Sequence, residues 1–279
     1  MALVMRLVAI VFASSAALLA QPDPRELVRQ SIANGEQSWR RSFDYACVKL
    51  DVTRQLDAEG HVREADEDVY DEIPLGNHTS FEELVRHDNE PVARVDLAKE
   101  ERDLARLRAE SPEERARRFG KLAAERSYML EVPNAFDFRI VGEQNLATGP
   151  AWVLDAVPHP GYQPQSRYAH MFHAMRGRLW IDKHDVQWVK ADAVAMSDVS
   201  FGFFVARLAK GSHIQIEQMK LPDGSWVPKL IRARASARLF LFFNRNFEES
   251  ISYSNYRKPG PAVAATRPSP QVPHGPHAR

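Results

Sequence analysis

Between Met175 and Lys258 the chain is built of short apolar and aromatic runs broken by turn residues, and no other feature constrains the fold as much. The runs are separated by K-H-D at 183–185, P-D-G-S at 222–225 and N-R-N at 244–246. Runs of this length, punctuated by turn residues, predict consecutive antiparallel strands joined by tight turns. The expected strands lie near Arg178 to Asp182, Val186 to Met196, Ser212 to Leu221, Trp226 to Phe243 and Glu248 to Tyr256. Between them, F-G-F-F-V-A-R-L at 201–208 is apolar enough to be buried or membrane-seeking. No catalytic motif lies in this stretch.

Upstream, Asp23, Pro24 and Glu26 supply a cap, a first-turn proline and an acidic residue for a helix over 22–41. From Phe43 the period becomes two, with Ala46, Val48, Leu50 and Val52 alternating with Tyr45, Cys47, Lys49 and Asp51. D-A-E-G at 57–60 turns the chain into two further strands, His61 to Pro74, which is strongly acidic, and Thr79 to His87. Residues 93–130 break the β pattern. Leu97, Leu104 and Leu107 form a narrow stripe among charges, then Ser111, Pro112 and Glu114 form a capping box for a second helix. This helical insertion reads as a solvated hairpin held by i,i+4 charge pairs. Strands resume at Phe136 to Asn145 and Ala151 to Val157, before the loop P-H-P-G-Y-Q-P at 158–164.

Residues 1–20 combine Arg6, an apolar run from Leu7 and small residues up to Ala20, the pattern of a signal peptide cleaved near Ala20. The run is shorter than the roughly 20 apolar residues of a spanning helix, so no transmembrane segment is expected in the mature chain. From 258 to 279 the composition turns to Pro, Ala, Ser and His without periodicity, which predicts a disordered tail. Residues 21–257 are then one domain. Cys47 is the only cysteine, so an exported chain must hold its fold without an internal disulfide. The 37 basic and 37 acidic residues cancel, which leaves no global field to draw the chain onto nucleic acid.

Along 231–239, Ile231, Ala233, Ala235, Ala237 and Leu239 point one way, and Arg232, Arg234, Ser236 and Arg238 point the other. Small residues on an inward face leave volume for a helix, neighbouring aromatics or a ligand to fill. Trp152, Trp180, Trp188 and Trp226 fall in strands and read as core aromatics. His170 and His173 lack a specified third ligand for zinc. Cys47 reads as a small buried side chain rather than a nucleophile. Adjacent acids between Asp66 and Asp71 face opposite sides of a strand, which does not make a glycosidase pair. No catalytic residue, cofactor or metal is predicted.

The run G-R-L-W-I-D-K at 177–183, V-Q-W-V-K-A-D-A at 186–193, the K-L-P-D-G-S-W-V-P hairpin at 220–228 and S-Y-S-N-Y-R-K at 252–258 resemble the LolA/LolB and RseB-like superfamily of periplasmic lipoprotein-localisation proteins. With A-K-E-E-R-D-L-A-R-L upstream, the chain looks like the branch called outer-membrane lipoprotein-sorting proteins. The resemblance implies a mainly β (α+β) fold, a curved antiparallel sheet forming an incomplete β-barrel closed by helices. It implies a periplasmic, non-enzymatic protein whose apolar concavity takes a lipid or lipoprotein acyl chain. The candidate lining is Val48, Leu50, Trp152, Leu154, Leu179, Ile181, Ala233, Ala235, Ala237, Leu239 and Leu241. The alternative within the same superfamily is an envelope-stress sensor or scaffold that binds another envelope protein through the insertion at 93–130.

Overall fold

Asp23 accepts a hydrogen bond from the Glu26 amide at 2.9 Å and starts helix α1 (Pro24–Ser42), as its sequence predicts. The structure, a computed structural model, describes residues 21–92, 94–201, 206–239 and 243–259. The expected signal segment at 1–20, the tail from 260 onward and Leu241 lie outside the described residues. After α1 come β1 (Ala46–Leu56), β2 (Val62–Gly76), β3 (Thr79–His87) and the two-residue β4 (Glu90–Pro91). The insertion folds as α2 (Arg94–Ala109) and α3 (Pro112–Arg126), followed by a 3-10 turn at Ser127–Glu131 and the short α4 (Val132–Ala135). Then follow β5 (Phe136–Leu146), β6 (Gly149–Pro158), a 3-10 segment at Tyr168–Ala174, β7 (Met175–Asp182) and β8 (Trp188–Ala195). The last strands are β9 (Val199–Phe201), β10 (Ala206–Leu208), β11 (His213–Lys220), β12 (Trp226–Leu239) and β13 (Phe243–Arg257).

The pairings are antiparallel, and the sheet runs β4-β3-β2-β1-β13-β12-β11-β8-β7-β6-β5, with β10 paired to β12 and β9 to β10. The terminal strands β4 and β5 do not pair with each other, so the barrel is incomplete and the fold is mainly β with helices attached. Strand β8 begins at Trp188, two residues later than the alternation suggests. Val186 sits at φ +50° in a turn whose amides at His184 and Asp185 donate to Asp182 Oδ1 at 2.9 and 2.8 Å. A β-branched residue in that region cannot continue a strand.

Directly paired residues share a face. One row therefore runs Leu154, Leu179, Ala191, Ile216, Ile231, Ile251, Asp51, Asp68 across eight strands. Helix α1 lies on this face over its apolar end. Leu27, Val28 and Ile32 pack against Leu154, Leu179, Ile181 and Trp188, and Val28, Leu154 and Ile181 have no exposed surface. Polar side chains fix the helix in place. Asn34 Nδ2 donates to the carbonyls of Asp185 and Val186 at 3.0 Å, while Gln187 Nε2 donates to Gln218 Oε1 at 3.0 Å within the core. A second cluster, including Phe136, Tyr162, Phe172 and Met175, closes the β5–β7 end under the 3-10 segment.

Ser111 and Glu114 make the reciprocal capping box of α3, and α3 has no buried residue, so the hairpin is largely solvated. Its docking is aromatic and ionic. Phe119 stacks on Trp39 and His78 with ring centroids 5.3 and 4.6 Å apart, and Arg126 Nε pairs with Glu36 Oε1 at 2.9 Å. Glu100 accepts from the Leu84 amide at 2.9 Å, which ties α2 to the exposed side of β3. Among the described residues no helix is long and apolar enough to cross a membrane.

Gly35 lets α1 approach the sheet, because a β-carbon there would fall 2.5 Å from Trp188 Nε1. Gly35→Ala gains about 1 kcal/mol of helix propensity but must displace a packed indole, which costs about 1–3 kcal/mol. Net destabilisation is the expected outcome, read as a lower urea midpoint with an unchanged slope.

Candidate functional site

The helix-bearing face divides into a filled half and a half that α1 leaves partly open. Trp152, Leu154, Leu179 and Ile181 belong to the filled half, where α1 supplies the volume their strands require. The packed cluster stops at Ile216. Beyond it Ile231, Ala233, Phe247 and Ile251 stay partly exposed on the same face, with Ala235 buried beside Phe247. Ala237 and Leu239 continue the β12 backbone, paired with Arg245 and Phe243. Leu241 lies outside the described residues.

Val48 and Leu50 do not join this lining. Leu50 pairs with Ser252 and Val69, and Val48 with Ser254, which puts both on the opposite face. Alternation defines two sets of residues but cannot say which set looks inward; the register with β13 decides it. On β1 it turns the polar set toward the helices. Val48, Leu50 and Val52 instead form a small apolar patch on the other side with the nearly buried Val69.

The open half of the helix-bearing face therefore runs from aliphatic residues on β12 to a polar lining on β13, β1 and β2. Lys49 Nζ pairs with Glu82 Oε2 at 2.8 Å and lies 4.6 Å from the Tyr70 ring centroid. Tyr253, Lys49 and Tyr70 form one cross-strand row, and Ile251, Asp51 and Asp68 form the next. Asp51 has a buried carboxylate oxygen without a hydrogen-bond partner. Burial pushes its carboxyl above the usual range, Lys49 pulls it back, and the charges of Asp68 and Glu82 add to the rise. Burial, and then the charge of Asp51, raises Glu249 as well. This lining favours aliphatic and neutral or cationic groups and repels anions. Sequence patterning hid Lys49 and Asp51 because each sits between apolar neighbours on β1.

Cys47 is 2% exposed and its Sγ donates to Glu72 Oε2 at 3.3 Å. Burial, and then the Glu72 charge, pushes the thiol well above its ordinary range, which leaves it protonated and unreactive. His173 packs against the Tyr162 ring at 5.5 Å. Among the described residues no three His, Cys, Asp or Glu side chains converge as metal ligands would.

The chain resembles several solved structures. They include a DUF1329 family protein from Desulfovibrio piger, 14% identical over 88% of this chain and 95% of that one, with a TM-score of 0.31. A protein described as an outer membrane lipoprotein-sorting protein domain, from Vibrio parahaemolyticus, is 8% identical over 86% and 95%, with a TM-score of 0.29. A LolA superfamily protein from Nitrosomonas europaea is 12% identical over 80% and 93%, with a TM-score of 0.25. No protein-family model and no curated protein matches the sequence.

The raised pKa of Asp51 has a stability consequence with a definite sign. Folding raises this carboxyl above its unfolded value near 4, so the ionised group opposes folding at neutral pH, and the penalty disappears once pH falls below the unfolded value. Asp51→Asn should raise the melting temperature at pH 7 by about 2 °C, with the gain gone below about pH 4. Scanning calorimetry at the two pH values checks this; an Asn variant that melts lower at pH 7 would place the carboxylate in a stabilising contact.

Proposed function

We propose that this protein is a periplasmic, non-enzymatic carrier that shields a lipid or lipoprotein acyl chain on the helix-bearing face of its open sheet. One observation carries the reading. Helix α1 packs against β5–β8 and also touches β12, yet Ile231, Ala233, Phe247 and Ile251 stay partly exposed beside the packed cluster. An acyl chain lying along β12 and β13 would bury this strip at about 0.8 kcal/mol per methylene. The polar end of such a ligand would meet Asp51, Glu249 and Lys49, which favours an ester, amide or amine over a free carboxylate. The export signal read at 1–20 supplies the compartment.

The insertion favours a second reading, a sensor or scaffold that binds another envelope protein. α3 buries none of its residues, yet Phe119 and Arg126 fasten it to α1, so its charged surface is presented on a fixed element.

Native mass spectrometry of the mature protein, purified from a periplasm without detergent, should show a co-purifying acyl species. Ala235→Trp should abolish it by occupying the strip. A clean apo mass, together with no uptake of fatty-acyl probes, overturns the carrier reading. The second reading predicts a protein partner in a pull-down that disappears when residues 93–130 are replaced by a short linker; capture that survives the deletion rules out the insertion as the docking surface.

A further inference from the structure

The face opposite α1 holds an open cleft of about 450 Å³, lined by side chains from β1, β11, β12 and β13. Its charge is one-sided. Register places His213, Arg234, Glu248 and Arg54 in one row and Arg232, Ser250 and Val52 in the next, all on this face. Neighbouring strands are about 4.8 Å apart, and same-face residues on one strand about 7 Å. Three guanidiniums thus share a space with a single carboxylate, Glu248, because Glu249, whose residue also borders the cleft, projects to the other side of the sheet.

The available counter-charges are already engaged. Glu248 Oε1 forms an ion pair with Arg234 Nε at 3.4 Å, and Asp192 Oδ1 meets His213 Nε2 at 2.7 Å. Arg54, partly buried, and Arg232 have no carboxylate within 4.0 Å among the described residues. The β1–β2 turn walls one end of the cleft. Asn246 Nδ2 holds the Asp57 carbonyl at 3.0 Å, and a β-carbon at Gly60 would lie 3.2 Å from Arg234 Nη2.

We infer that this cleft is a binding site for a phosphate-bearing ligand, held by Arg54 and Arg232 with Arg234 as a third, partly neutralised cation. Two free guanidinium forks mounted on rigid strands match the oxygen geometry of phosphate, and each can bind bidentately. The volume suits a phosphorylated headgroup or a small phosphorylated solute. The inference is independent of the carrier reading, since it concerns the other face of the sheet.

Calorimetric titration of the mature, full-length protein with inorganic pyrophosphate, and sedimentation with phosphatidylcholine vesicles with and without phosphatidic acid, separate a soluble from a membrane source. Binding to either phosphate probe supports the site, provided that Arg232→Gln and Arg54→Gln each weaken it by about tenfold or more and Arg232→Lys by less. Glu248→Gln should tighten binding, an effect that no loss of folding can imitate. Binding that is unchanged in the arginine variants, or absent for both probes, overturns the assignment.

Discussion

Everything on the helix-bearing face depends on how α1 meets β6, β7 and β8. The contact brings Val28, Leu154 and Ile181 to complete burial and is closed by a glycine, Gly35, against the edge of Trp188. Without a disulfide, this cluster and its neighbour beneath the 3-10 segment must hold the β5–β8 end of the sheet together through packing alone. Because α1 is only 19 residues long, about 28 Å at 1.5 Å per residue, and the sheet path has eleven strands spaced about 4.8 Å apart, one helix cannot cover the whole face. Although α1 reaches β12 as well, a strip on β12 and β13 stays partly open.

Much of this was legible in the sequence because it is local. Asp23 and Pro24 announce α1, Ser111 with Glu114 announces α3, and P-D-G-S marks the β11–β12 turn. The face assignment of β1 was not legible. Val48 and Leu50 alternate cleanly with Lys49 and Asp51, but which set meets the helices depends on pairing with β13, some 200 residues later in the chain. Hydrophobicity suggests that the valines look inward, whereas the register turns Lys49 and Asp51 inward. The same long-range pairing puts Arg54 in the row of Glu248 and Arg234, so sequence reveals the arginine alternation on β12 but not the third member of the cluster.

The two faces of β12, β13 and β1 carry opposite charge. Asp51 on β1 and Glu249 on β13 lie on the helix-bearing face, and Arg54 on β1 with Arg232 and Arg234 on β12 lie on the other. Carboxylates that are raised by burial and by neighbouring carboxylates are short of compensating cations on their own side, since Lys49 is shared with Glu82. The guanidiniums across the sheet are separated from them by the peptide layer and point away. The proposed acyl strip and the proposed phosphate cleft therefore differ in the charge they present.

That segregation limits what a single ligand can do. A phosphate joined directly to an acyl chain cannot satisfy both surfaces at once, because the sheet, continuous by hydrogen bonding from β3 to β5, stands between them. A chain seated along β12 and β13 must therefore carry a head that tolerates carboxylates, and a phosphate in the arginine cleft must belong to another molecule or to a part of the ligand long enough to pass around a sheet edge. Among the described residues the edges are β4, two residues long, and β5 on the main path, and β9 at the end of the branch β12-β10-β9. From β12 the path to β4 crosses β13, β1, β2 and β3, roughly 24 Å at 4.8 Å per strand, whereas β9 lies two strands away, roughly 10 Å. A ligand that engaged both surfaces would pass around the β9 side of β12 rather than around β4.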